Sequence, residues 1–192
     1  MFNDESLDFQ VYNNIEKIIF LDNQGDEYEY NIFEQSIQED FDYFYTTQCK
    51  EGNKSAFYNG QKVSIRFLGP DSTIISFDHE ILFVFDESDL KEDNLVDIIS
   101  LGIFDSSPAN VSVAIAGAFQ FLTSSRNSHI NKDEMNDSRF TVRNDVNILG
   151  KNFSEVYEPI SSNENVIQFN KEFGVVSFLN KNNIQLVFDR FE

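Results

Sequence analysis

Asn147-Ile-Leu-Gly-Lys-Asn-Phe-Ser-Glu-Val-Tyr157, Val166-Ile-Gln-Phe-Asn-Lys-Glu-Phe-Gly-Val-Val-Ser-Phe178 and Ile184-Gln-Leu-Val-Phe188 fill most of the chain beyond residue 146. Apolar side chains recur at every second position, and Gly, Asn and Lys separate the runs. Such alternation sends one row of side chains into a core and the other into water, as half-buried antiparallel strands do. The chain is therefore expected to end in a β-meander. In Asn170-Lys-Glu-Phe-Gly174 a short polar turn closes on glycine, which fits a hairpin with a left-handed residue and a bulge at its end.

The same rhythm extends upstream. Ile15 to Phe20 is an apolar run, Asp22-Asn-Gln-Gly25-Asp26 supplies a turn, and Tyr28, Tyr30 and Ile32 alternate beyond it. Val63, Ile65 and Phe67 alternate with polar residues, Gly69-Pro-Asp-Ser72 turns the chain, and Ile74 to Phe77 returns. Asp78-His79 then leads into Ile81-Leu-Phe-Val-Phe85, whose continuous apolar character fits a strand buried on both faces. Val111, Val113 and Ile115 through Phe121 read as a long strand with Gly117 at a bulge or backbone crossing, with a buried Ala-rich helix as the alternative. Phe140 to Ile148 resumes strand character.

Two stretches carry a helical stripe. Phe33, Ile37, Phe41 and Phe44 are spaced four, four and three apart, while Phe41, Tyr43 and Tyr45 fit a strand; a short helix running into a strand satisfies both. Leu95, Ile98, Ile99 and Leu101 line one face of a second short helix that stops near Gly102. Cys49 to Gly60, Asp86 to Asn94 and Thr123 to Ser138 are polar and read as loops, and no internal repeat is visible. The expected fold class is mainly β: an antiparallel β-sandwich or a curled sheet and meander, with one or two short helices. A single domain, 1–192, is expected, with a subdivision into 1–123 and 139–192 across the polar loop as the alternative.

Composition restricts the function classes. The 192 residues include 21 Phe and no Trp, so Phe is the core-filler. Lys plus Arg number 14 against 33 Asp plus Glu, a formal net charge of −19, and no basic run accompanies the aromatics. That charge excludes nucleic acid as a partner and electrostatic adhesion to anionic lipid. Cys49 is the sole cysteine, so no intrachain disulfide can form. No stretch reaches the ~20 apolar residues of a membrane span. Met1-Phe-Asn-Asp-Glu-Ser-Leu-Asp lacks the features of a signal peptide, so either the protein is cytoplasmic or Met1 replaces a removed leader.

Reaction centres are scarce. The imidazoles are His79, expected in a turn between strands, and His129, in a polar loop. A Ser-His-Asp triad lacks its Gly-x-Ser-x-Gly elbow, and one Cys with two distant His does not make a zinc site. Asn131, Asp133 and Asp137, or Asp86, Asp89 and Asp93, are spaced somewhat like oxygen ligands but lack the Gly and Glu of a calcium loop. No catalytic, cofactor-binding or metal-binding residue is therefore assigned, and no enzyme is expected. Tyr28, Tyr30, Tyr43, Tyr45, Tyr58 and Tyr157 are amphipathic enough to line a glycan- or peptide-binding face.

Asn147-Ile-Leu-Gly150-Lys-Asn-Phe153-Ser-Glu-Val156-Tyr157 and Phe169-Asn-Lys-Glu-Phe-Gly174-Val-Val-Ser-Phe178 resemble paired elements of uncharacterised exported lipoproteins from Bacteroidetes-type bacteria. Ile18-Ile-Phe-Leu-Asp-Asn-Gln-Gly25-Asp-Glu-Tyr28 is similar to their first hairpin. The resemblance implies a bacterial, lipid-tethered protein facing the periplasm or cell surface, although no lipobox Cys precedes the hairpin here and Cys49 lies too far inside to serve. It transfers no catalytic residue. The expected role is a non-enzymatic binding or structural domain at the envelope, monomeric, with an unknown protein or glycan partner, touching membrane only through a lipid anchor if a leader was removed. The alternative is an acidic immunity-type antagonist of a basic protein toxin, in the cytoplasm.

Overall fold

The two-residue rhythm is realised as thirteen strands in a computed structural model that describes residues 7, 10–49, 52–83, 95–105, 113–125, 140–159 and 167–192. They are β1 (Lys17–Leu21), β2 (Glu27–Cys49), β3 (Gly52–Leu68), β4 (Thr73–Phe83), β5 (Leu95–Asp105), β6 (Val113–Ser125), β7 (Phe140–Arg143), β8 (Val146–Ile148), β9 (Lys151–Phe153), β10 (Val156–Pro159), β11 (Gln168–Asn170), β12 (Gly174–Leu179) and β13 (Gln185–Phe191). Eleven form one antiparallel sheet in the order β6-β5-β4-β3-β2-β1-β13-β12-β11-β10-β7, and β8 pairs with β9 as a separate hairpin. The protein is mainly β, and the large sheet is strongly curled. Strand β1 pairs with both β2 and β13, which joins the long N-terminal hairpins to the C-terminal meander.

The interior of the curl is filled from the N-terminal side. Tyr12 is buried, and its ring packs at 5.3 Å from Phe67 of β3 and Phe77 of β4 and at 6.3 Å from Phe191 of β13. Its hydroxyl accepts the Val175 N–H of β12 at 2.6 Å. One side chain thus reaches four strands that lie as far as five places apart in the sheet, which only a curled sheet permits. Burial holds the Tyr12 hydroxyl neutral, raising its pKa well above the usual phenol range. Phe20, Tyr30 and Phe178 form a second cluster of edge-on rings with centroids 5.1–5.7 Å apart, a geometry that aromatic quadrupoles favour.

Three hairpins use one turn device. Asp22 Oδ1 accepts the Gln24 and Asp26 N–H groups, Asn170 Oδ1 those of Glu172 and Phe173, and Asn180 Oδ1 those of Asn182 and Ile184. A short side chain that mimics a backbone carbonyl fixes each reversal. Phe20-Leu-Asp22 and Phe178-Leu-Asn180 lead into two of these turns, and their rings meet in the core. Only Phe-Leu-Asx recurs, too short a match to read as a sequence repeat. Gly174 has the expected positive φ of 72°, and a Cβ there would overlap the Tyr12 hydroxyl. The bulge lies beside it, at Val176 between the Phe169–Val175 and Gln168–Ser177 pairs.

Both helical expectations are corrected. Phe33, Ile37 and Phe44 belong to β2, and Leu95 to Leu101 belong to β5. A spacing of four is even, so in an unbroken strand it keeps residues on one face and mimics a helical stripe; here the bulge at Phe33 puts Phe33 and Ile37 on different faces. Cys49 to Gly60 is likewise not a loop: residues from Gly52 onward run in β3, paired with β2 as far as Cys49. His79 lies in the middle of β4 rather than in a turn, buried at the inward position between Phe77 and Ile81. The β6 assignment agrees with a strand, and Gly117 falls in the register shift between the Leu101–Phe119 and Ile103–Ala116 pairs. Of the loop expected over Thr123 to Ser138, Thr123 to Ser125 instead end β6, and its remainder, like residues 86–94, lies outside the described residues.

The β8–β9 hairpin is anchored to the C-terminal strands. Register shifts between Ile19 and Phe20 on β1 leave Asp189 of β13 as an extra residue, and Lys151 of β9 pairs with the Asp189 carboxylate and donates to the Phe188 carbonyl at 3.0 Å. The ammonium holds the Asp189 pKa below its ordinary value.

Candidate functional site

On β2–β5 the strand register sorts side chains onto two faces. Two inward rows are wholly apolar: Ile65, Phe77 and Leu101 pair across the sheet, as do Phe67, Ile75 and Ile103, while His79 sits between Val63 and Ile99 in the next. Outward rows are mixed. Glu34 pairs with Arg66, Arg66 with Ser76 and Ser76 with Gly102; the next row is Ser36, Ser64, Asp78 and Ser100; and Leu68, Ile74 and Phe104 make a third. Neighbouring side chains in such rows stand about 5 Å apart, so they interact directly.

These rows enclose a half-open groove of about 370 Å³, lined by Phe33, Glu34, Arg66, Ile74, Ser76, Asp78 and Phe104. Gly102 matters because the Phe104 ring lies over it, so a Cβ there would strike the ring. Phe33 is the extra residue between the Ile32–Phe67 and Glu34–Arg66 pairs, a bulge that turns its ring towards the groove. It is 49% exposed, a large apolar surface left in water.

The polar groups are linked in a chain. Arg66 Nη1 donates to Glu34 Oε2 at 2.7 Å, and Arg66 Nε donates to Ser76 Oγ at 3.4 Å. Ser76 donates to Asp78 Oδ2 at 3.2 Å, and Ser64 donates to Asp78 Oδ1. Both carboxylate oxygens of Asp78 are therefore engaged, and the guanidinium is fixed at two of its nitrogens. The arrangement is an ordered surface of donors and acceptors with an aromatic border.

The residues singled out in the sequence do not meet here. His79 faces the opposite side of β4 and bonds through Nδ1 to the Gln10 amide nitrogen at 2.8 Å. Cys49 ends β2. Tyr30 is a core residue, its hydroxyl held neutral by burial, and Tyr28 and Tyr157 are half-buried away from the groove. His129 and the acidic sets at 86–93 and 131–137 lie outside the described residues. Among the described residues, no three His, Cys, Asp or Glu side chains converge as metal ligands would. The groove residues come from four strands, so no contiguous motif announces them; the nearest signal is Ser64-x-Arg66 facing Ser76-x-Asp78.

No protein-family model, no curated protein and no solved structure matches the chain. The reading of function therefore rests on the site itself.

Proposed function

We propose that the protein is a non-enzymatic binding module of the exported lipoprotein type, presenting the outer face of β2–β5 to a partner at the cell envelope. The groove around Arg66 and Asp78 carries this reading. It combines an exposed ring with fixed polar groups, the composition of a recognition site, whereas the only imidazole on these strands is turned into the core. Among the described residues no helix is long and apolar enough to cross a membrane, and in this reading the tether is a lipid.

The second reading is the acidic antagonist of a basic toxin. It draws on the net charge of −19 and on an adjoining groove of about 450 Å³ whose rim includes Glu27 and Glu29. Expression of the natural reading frame with a C-terminal tag, followed by cell fractionation and fatty-acid labelling, separates the two. Envelope-bound, lipid-labelled protein supports the first. Unlabelled cytoplasmic protein that binds a basic toxin with steep salt dependence overturns it in favour of the second.

A further inference from the structure

We infer that the groove on β2–β5 binds a neutral saccharide, an assignment that rests on the binding-module reading and names its ligand class. Three observations converge. First, the groove offers donors and acceptors side by side: the Arg66 guanidinium donates, the Glu34 and Asp78 carboxylates accept, and the Ser76 oxygen accepts while its proton points to Asp78. A cationic side chain only donates and an anion only accepts, so either would leave half of this set unmatched. A sugar hydroxyl does both, and it extends such a chain at either end.

Second, every charged group of the groove is already hydrogen-bonded within the protein. Arg66 is paired to Glu34 at 2.7 Å, and Asp78 is held by two hydroxyls. An anionic ligand would have to approach a protein of net charge −19 with its one groove cation already engaged, which long-range repulsion disfavours. Third, the border is aromatic and flat. Phe33 is 49% exposed on its bulge, and Phe104 lies folded over Gly102, giving an apolar wall for the C–H face of a pyranose. The volume, about 370 Å³, falls at the lower end of ligand pockets and suits one or two sugar rings.

The test is a screen of the full chain against an array of neutral and acidic oligosaccharides together with a Lys/Arg-rich peptide. Hits are then titrated by calorimetry and mapped by amide chemical shifts. The expected result is saturable binding of a neutral saccharide, with shifts centred on Arg66, Ser76 and Asp78. Phe33→Ala and Arg66→Gln, both at exposed or half-exposed positions and expected to fold, should each weaken it about tenfold or more. Phe57→Ala, on the far part of the β2–β3 hairpin, should leave it unchanged. Binding of the basic peptide at the groove instead overturns the saccharide while sparing the binding module. Binding of no oligosaccharide on the array, or binding that ignores Phe33 and Arg66, overturns the assignment; the fractionation result stands or falls separately.

Discussion

Strands β12 and β4 follow the same alternation to different ends. Gly174-Val-Val-Ser-Phe178 is buried at every position, and even Ser177 is 1% exposed. In β4 the inward residues Ile75, Phe77, His79 and Ile81 are fully buried, whereas Asp78 and Glu80 between them are only half-buried. Strand β12 is covered on both faces, and β4 fully on one. What separates them is covering, not strand propensity. A face left open is free to carry polar groups in register, and there the groove forms.

The comparison predicts where substitutions hurt. The largest effect is expected at Gly174→Val on the closed side. The new side chain would have to adopt a φ of 72° and displace the Tyr12 hydroxyl, which together should cost about 3 kcal/mol or more. A thermal melt unchanged from the wild type would contradict the packing described here. Tyr12→Phe keeps the ring but leaves the Val175 N–H without its acceptor, and a loss of about 1–3 kcal/mol in urea unfolding is expected.

Tyr12 and Tyr30 also set an alkaline limit. Their folded-state pKa values lie above the unfolded one of 10.0. The unfolded chain therefore releases protons that the folded chain keeps, so stability is fully present below pH 10.0 and falls as pH rises above it. Phenolate absorbance followed together with circular dichroism should show these two tyrosines ionising only on unfolding, and Tyr12→Phe should flatten the decline.

A smaller loss is expected at Gly25→Ala, which shares a positive φ of 87° but has open space around a new Cβ. Only backbone strain remains there, about 1 kcal/mol. The smallest is expected on the open face, where Phe33→Ala should change stability by less than about 0.5 kcal/mol, because the ring is already half in water. A melt lowered as much as that of Gly174→Val would mean that Phe33 belongs to the core.

The C-terminal hairpins were legible because their turns are marked locally: Asn170 and Gly174, and Asn180 with Asn183 at a φ of 59°. The long β2–β3 hairpin was not. Phe33 and Ile37 stand four apart, a spacing that both a helix and a strand satisfy, and bulges between Ile32 and Glu34 and between Gln38 and Phe41 interrupt the parity that would have decided it. His79 was misplaced because its polar neighbours Asp78 and Glu80 suggest a turn, although they are the outward positions of one continuous strand. The groove was illegible for a different reason. Glu34, Arg66, Ser76 and Phe104 are distant in sequence, and only the registers of β2 on β3, β3 on β4 and β4 on β5 bring them into one patch.

The division of β2–β5 into a sealed face and an open one can be read directly by hydroxyl-radical footprinting with mass spectrometry. Phe33 should be oxidised readily, while Phe67 and Phe77, each 0% exposed, should be protected until the protein unfolds. Equal oxidation of the three rings, or protection of Phe33 with exposure of Phe77, would contradict the face assignment on which the groove depends.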